Sequence, residues 1–193
     1  MTDNTELCSL TIRELASALA AGEASPVEVT EGYLQRIEAL EPELNAYICV
    51  AADSAMTAAR KAEAEIQRDG ATSLLHGVPL AHKDIVDVAG MATTCGSQVL
   101  AENFADRHGA VVEKLETAGA ICLGKLNMNE FATILPSEHF GPVRNPWSPG
   151  HSPGGSSSGS GAAVAARLCA GALGTDTGGS RSEEHTSELQ SPD

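Results

Sequence analysis

Large aromatic side chains are almost missing from this 193-residue sequence, which has one Trp, two Tyr and three Phe. A core built from it relies on small aliphatic residues and close backbone approach rather than on ring packing. Bases are also scarce, 12 against 26 acids, for a formal net charge of -14. Recognition of a phosphate backbone needs clustered Lys and Arg, so no direct nucleic-acid contact is expected on this segment; the acidity serves solubility. No apolar run approaches the roughly 18 residues that span a bilayer, so no membrane association is expected. Residues Met1 to Leu10 carry acids and no basic stretch, which argues against a secretory signal. The five cysteines, Cys8, Cys49, Cys95, Cys122 and Cys169, are odd in number, scattered and without a C-x-x-C pair. That pattern suits buried thiols in a reducing compartment better than a disulfide frame or a zinc site, and the expected location is cytoplasmic.

Helical signals fill the first part of the chain. Thr11 and Glu14 stand at capping-box spacing, with Ile12, Leu15 and Leu19 on one face behind them. Ser25-Pro26-Val27-Glu28 is a second start, and the apolar stripe Val29, Tyr33, Ile37, Leu40 runs from it until near Pro42. A short extended piece over 46–50 leads into an Ala-rich helix over 53–68. The pattern changes at Gly70. His76 to Asp84 reads as a buried strand with a charged end, Ala110 to Ala118 as a helix stopped by Gly119, and Ala120 to Gly124 as a second buried strand. Ala162 to Leu168 reads as another helix and Gly171 to Gly174 as a turn. Strands alternating with helices predict an α/β fold with a largely parallel sheet.

Chemistry concentrates in two glycine loops and one lysine. Pro153-Gly154-Gly155-Ser156-Ser157-Ser158-Gly159-Ser160-Gly161 has the composition of a flexible linker. However, the apolar run Ala162 to Ala166 follows at once, so the loop feeds a packed element. A phosphate-binding loop would end in Gly-Lys-Ser/Thr, where Ser160-Gly161 stands instead, and a dinucleotide fingerprint would need a third glycine. Gly155 to Gly159 matches the G-x-S-x-G elbow, but Pro149 to Pro153 is no strand and the only later histidine is His185. The second loop, Gly174-Thr175-Asp176-Thr177-Gly178-Gly179-Ser180, is either a tight turn or a set of converging backbone N–H groups of the kind an oxyanion requires. Lys83 ends an apolar strand. It is either a snorkelling strand-end lysine or a buried amine that sheds its proton and serves as a general base. His82 alternates to the opposite face and reads as packing.

Taken in order and spacing, Gly77 to Asp84, Leu123 to Phe131, Asn145-Pro146-Trp147 and the two glycine loops resemble the amidase signature family, from about Leu10 to Ser180. The resemblance implies the N-terminal portion of an α/β/α fold with a mixed, largely parallel central sheet. It divides the chain into a helical arm over 1–69, an incomplete amidase core over 70–180 and a tail over 181–193. It implies Lys83 as base, Ser156 as a proton-relaying serine held through a cis peptide bond, and Ser180 as nucleophile. Backbone N–H groups of Thr177, Gly178, Gly179 and Ser180 would form the oxyanion hole, with Ser157 and Asp176 in support. The implied reaction is hydrolysis of a small-molecule carboxamide through an acyl-enzyme, with no metal or organic cofactor.

The sequence departs from the family pattern in two places. Arg181-Ser182 follows the nucleophile where an aliphatic residue and then an arginine are usual. The stretch Thr133 to Glu138, which bears on the acyl-side pocket, is shorter and less polar than usual. Arg181 to Ser191 lacks apolar periodicity and resembles a translated sequencing-library adapter, the alternative being a polar, disordered end. Family members are more than twice this length, so the 193-residue chain alone is expected to be inactive. Three roles follow: a stand-alone amidase, with a homodimer as its candidate assembly; the glutaminase A subunit of a tRNA-dependent amidotransferase, with its partner subunits; or an inactive fragment or non-catalytic interaction module.

Overall fold

Both capping boxes close. In the computed structural model, which describes residues 6–176, Thr11 and Glu14 cap α1 (Ile12–Ala21) reciprocally, and Ser25 and Glu28 cap α2 (Pro26–Leu44) in the same way. Helix α2 runs past Pro42, where the stripe was expected to stop. The Glu41 carbonyl accepts the Asn45 N–H at 2.9 Å, and the Glu41 carboxylate accepts the Tyr47 N–H at 2.8 Å, so the last turn is held despite the missing proline donor. Asn45, at φ 53°, ends the helix and turns the chain into β1 (Tyr47–Val50).

Helix α3 (Ala52–Asp69), β2 (Pro79–Lys83), α4 (Ala110–Thr117) and β3 (Ile121–Leu126) follow, then α5 (Ser158–Ala165) and β4 (Gly171–Leu173). The sheet order is β1-β3-β2-β4, with β1 antiparallel to β3 and the β3–β2 and β2–β4 pairs parallel. The mixed, largely parallel α/β architecture is therefore the one expected. Gly124 lies in β3 at φ 145°, and a side chain there would strike the Cys49 carbonyl of β1, so glycine is required for the two strands to close.

Two local readings are corrected. Residues 171–174 are not merely a turn, because Gly171, Ala172 and Leu173 pair with Leu80, Ala81 and His82. Helix α5 begins at Ser158, inside the glycine–serine loop. Its first turn is set by tertiary contact: Gly159 donates to the Asn127 carbonyl at 2.9 Å, and the Ser160 hydroxyl donates to the Leu173 carbonyl at 2.8 Å.

Helix α3 packs on β3, α5 on β2, β3 and β4, and α2 on α3. One apolar cluster joins Leu15, Leu19, Val29, Tyr33 and Ile37 of the first helices to Leu80, Ile121, Leu123 and Leu126 of the strands and to Ala162 and Ala163 of α5. Two arginines lace the elements together through backbone carbonyls. Arg36 donates to Ala166 O at 2.9 Å and Arg167 O at 3.1 Å, while the Arg167 guanidinium donates to Cys8 O and Ser9 O. No helix among the described residues is long and apolar enough to cross a membrane.

Two glycines of α5 should respond oppositely to substitution by alanine. At Gly159 a Cβ would meet the carbonyl oxygens of Ala46 and Asn127 and the Asn127 nitrogen at 2.7 Å, whereas at Gly161 the nearest atom is Pro153 O at 3.9 Å. Gly159→Ala should destabilise by about 3 kcal/mol or more, since backbone cannot yield as a side chain does. Gly161→Ala should stabilise by roughly 0.5–1 kcal/mol through helix propensity. Urea unfolding followed by circular dichroism checks both signs.

Candidate active site

Parallel strands gather their C-terminal ends at one edge of the sheet, and that edge is where α/β folds place reacting groups. Here β2 delivers Lys83, the segment after β3 delivers Asn127 to Asn129, and the segment after β4 delivers Thr175. Lys83 is wholly buried, at 0% exposure, so it is not a snorkelling lysine. Its Nζ donates to Ser156 Oγ at 2.8 Å and to Thr175 Oγ1 at 2.6 Å. Burial disfavours the charged form of an amine, the condition under which a lysine can act as a base.

Ser156 is buried in the loop that enters α5, and the Gly155–Ser156 peptide bond is cis. The Ser156 carbonyl accepts the Asn129 N–H at 3.0 Å, while the Asn129 side chain occupies the space a side chain on Gly155 would need. Ser157 exchanges two bonds of 3.2 Å with the Thr175 backbone, one to its carbonyl and one from its N–H. The glycine–serine loop and the segment after β4 are thereby fastened side by side.

Of the residues singled out in the sequence, Lys83, Ser156 and Ser157 thus come together. Asp176, exposed, ends the described residues beside them. Thr177, Gly178, Gly179 and Ser180 lie outside the described residues, as does the tail over 181–193. Thr175 and Asn129 lie within the quoted stretches Gly174 to Ser180 and Leu123 to Phe131 but were assigned no role, since strand pairing and backbone contacts bring them to the site.

The sequence reading also missed a charged pair next to Lys83. Asp84 follows Lys83 immediately after the end of β2. Its carboxylate lies 2.7 Å from Lys125 Nζ of β3, and both side chains are fully buried. The other Asp84 oxygen accepts the Thr94 N–H at 2.9 Å and the Thr94 hydroxyl. Lys125 Nζ also donates to Ala92 O at 3.0 Å and Thr93 Oγ1 at 3.2 Å. His82 shares a face with Lys125, its register partner; burial, then the lysine's charge, pulls its pKa down to about 4. The available signal was a second lysine inside an apolar strand, the same oddity that marked Lys83.

A cleft of about 440 Å³ opens beside the Ser156 loop, between Met128, Asn129, Ile134 and Gly154. Among the described residues, no three His, Cys, Asp or Glu side chains are grouped as metal ligands would be.

The family model described as amidase matches residues 28–181. The A subunit of the glutamyl-tRNA(Gln) amidotransferase of Halorhodospira halophila is 52% identical over 172 residues, covering 88% of this chain and 35% of that protein. Among solved structures, the peptide amidase of Stenotrophomonas maltophilia superposes with a TM-score of 0.82 at 38% identity, covering 88% of this chain and 36% of that one. A fatty acid amide hydrolase superposes with a TM-score of 0.86 at 27% identity, covering 93% of this chain and 32% of that one. The chain therefore spans about a third of the length of these relatives. With a mixed sheet, a buried lysine on a cis-peptide serine and a family match over most of its length, the chain belongs to the amidase signature family.

Proposed function

We propose that this chain carries the Lys83–Ser156 part of a Ser-cisSer-Lys centre that hydrolyses a carboxamide, with Ser180 as nucleophile. The observation that carries the reading is the 2.8 Å hydrogen bond from the buried Lys83 Nζ to Ser156 Oγ. Neutral Lys83 takes the Ser156 proton as Ser156 takes the Ser180 proton, and Ser180 Oγ bonds to the carbonyl carbon. The oxyanion is held by backbone N–H groups of Thr177 to Ser180, on a loop braced by Ser157 and Asp176. On collapse the C–N bond breaks, and Ser156 returns a proton to the leaving nitrogen. Water then cleaves the acyl-enzyme ester and restores Ser180. This sequence of steps uses only side chains, backbone and water.

In the full-length protein we assign this chemistry to the glutaminase A subunit of a tRNA-dependent amidotransferase, releasing ammonia from glutamine for partner subunits. The support is the name shared by relatives from several bacteria at 48–52% identity. A stand-alone cytoplasmic amidase is the second reading, supported by the likeness to the peptide amidase. Ammonia release from glutamine, measured with and without co-purified partner subunits, separates them: stimulation by partners favours the first, and partner-independent turnover of other amides the second.

Ser180→Ala should abolish the acyl-enzyme, and Lys83→Ala should lower kcat/KM by several orders of magnitude at neutral pH, because nucleophile, relay and base act as a unit. Mass spectrometry of enzyme quenched with substrate checks the first, and steady-state ammonia release the second. Near wild-type turnover by either variant ends the reading. Thr175→Val removes one acceptor from Lys83 Nζ and should cost about tenfold in kcat/KM, the scale of a single buried hydrogen bond.

A further inference from the structure

Asp84, the residue next to the candidate base in the chain, is paired with Lys125, and no step above uses that pair. We propose that Lys125 is a positioning residue that sets the protonation of Lys83, by neutralising the carboxylate one residue along the chain. The inference rests on the reading of Lys83 as the base.

Asp84 is fully buried and follows Lys83 without a break, so its carboxylate cannot be moved away from the base or screened by water. An uncompensated negative charge at that range would hold a proton on Lys83 and keep it from acting as a base. Lys125 Nζ, 2.7 Å away, cancels that charge. Lys125 is itself secured: Ala92 O and Thr93 Oγ1 accept from the same nitrogen, and Val50 and Cys49 of β1 cross the strand beside it. Among the described residues, the other ionisable groups of this neighbourhood are Cys95, Asp87 and His82 around the pair, and Asp176, next in the chain to Thr175, on the Lys83 side. The Cys95 thiol is raised by burial and then by Asp84, and it senses Lys125, Asp87 and Lys83 as well, so Lys83 and the pair share this thiol as a neighbour. His82 stays neutral above about pH 4 and adds no charge there at neutral pH.

Because a neutral base is needed, kcat/KM of the full-length enzyme rises with pH through the Lys83 titration. Removing either member of the pair moves that limb in opposite directions. Lys125→Met leaves Asp84 unpaired, raises the Lys83 pKa and shifts the midpoint upward by about one pH unit. Asp84→Asn leaves Lys125 unpaired and shifts the midpoint downward by a similar amount. The double variant Asp84→Asn/Lys125→Met carries neither charge and returns to within a few tenths of the wild-type midpoint, and Lys125→Arg keeps it. A purely structural pair would give equal midpoints in all variants with a uniform fall in kcat/KM, or shifts of one sign only, and either result overturns the inference. Should Lys125→Met fail to fold, the downward shift in Asp84→Asn and its reversal in the double variant remain decisive. If Lys83→Ala keeps near wild-type activity, the reading of the base fails; if it is inactive while midpoints stay fixed, this inference alone fails.

Discussion

Two opposite charges taken wholly out of water hold this end of the sheet together. Moving Asp84 and Lys125 into the interior has a large desolvation cost, which mutual attraction offsets only when remaining hydrogen-bonding positions are filled. Thr94, Thr93 and Ala92, all in the single segment between β2 and α4, fill most of them, while Asp84 Oδ1 meets only the Lys125 ammonium among the described residues. The same segment is drawn further in by the Cys95 N–H, which donates to the Asp84 carbonyl at 3.0 Å. Its Cys95 carbonyl in turn accepts the Phe131 N–H at 2.8 Å, and Asn129, two residues earlier, holds the Ser156 carbonyl. A chain of contacts thus runs from the ion pair to the serine that Lys83 touches. Removing one partner of such a pair typically costs about 3–5 kcal/mol, a large share of a domain's stability.

The loop between β3 and Pro136 shows what that anchoring has to hold. Phe131 and Ala132 are consecutive non-glycine residues at φ 48° and 57°, each disfavoured by roughly 1–3 kcal/mol. Bonds from Glu130 N to Leu135 O and from Thr133 N to Glu130 O close the turn on itself. Its tip is apolar and open, with Ile134 91% and Leu135 66% exposed, in the short stretch that departs from the family pattern. The cleft wall beside the glycine–serine loop, to which Ile134 contributes, is therefore shaped by backbone placement.

What could be read in advance follows the range of the forces involved. Both capping boxes and the Val29, Tyr33, Ile37 stripe are local, and they were legible. Lys83 and Ser156 were legible because each sits in an unusual local setting and together they match a family pattern. The start of α5 was not, because glycine and serine are weak helix formers and Gly159 is placed by Asn127 and Ala46 across the fold. Strand β4 was not, because Gly171 to Leu173 has no strand pattern of its own and is extended by pairing with β2. Thr175 inherits its position from β4 and was hidden with it. Asp84 and Lys125 were each visible as charges among apolar neighbours, but their meeting depends on the register that sets His82 opposite Lys125.

The arginine lacing has a kinetic consequence. Arg36 reaches Ala166 across 130 residues of sequence, and Arg167 reaches back across 158 residues to Ser9. Such closures lose more chain entropy than local ones, and folding slows as the mean separation of contacts grows. Helices α1 to α3 draw on neighbouring residues and can begin to form as soon as they leave the ribosome. The bonds from Arg36 to residues 166 and 167, and from Arg167 to residues 8 and 9, wait until residue 167 has been synthesised. During that interval the Val29, Tyr33 and Ile37 stripe has no final cover, so nascent chains of this protein are candidates for chaperone capture at that helix.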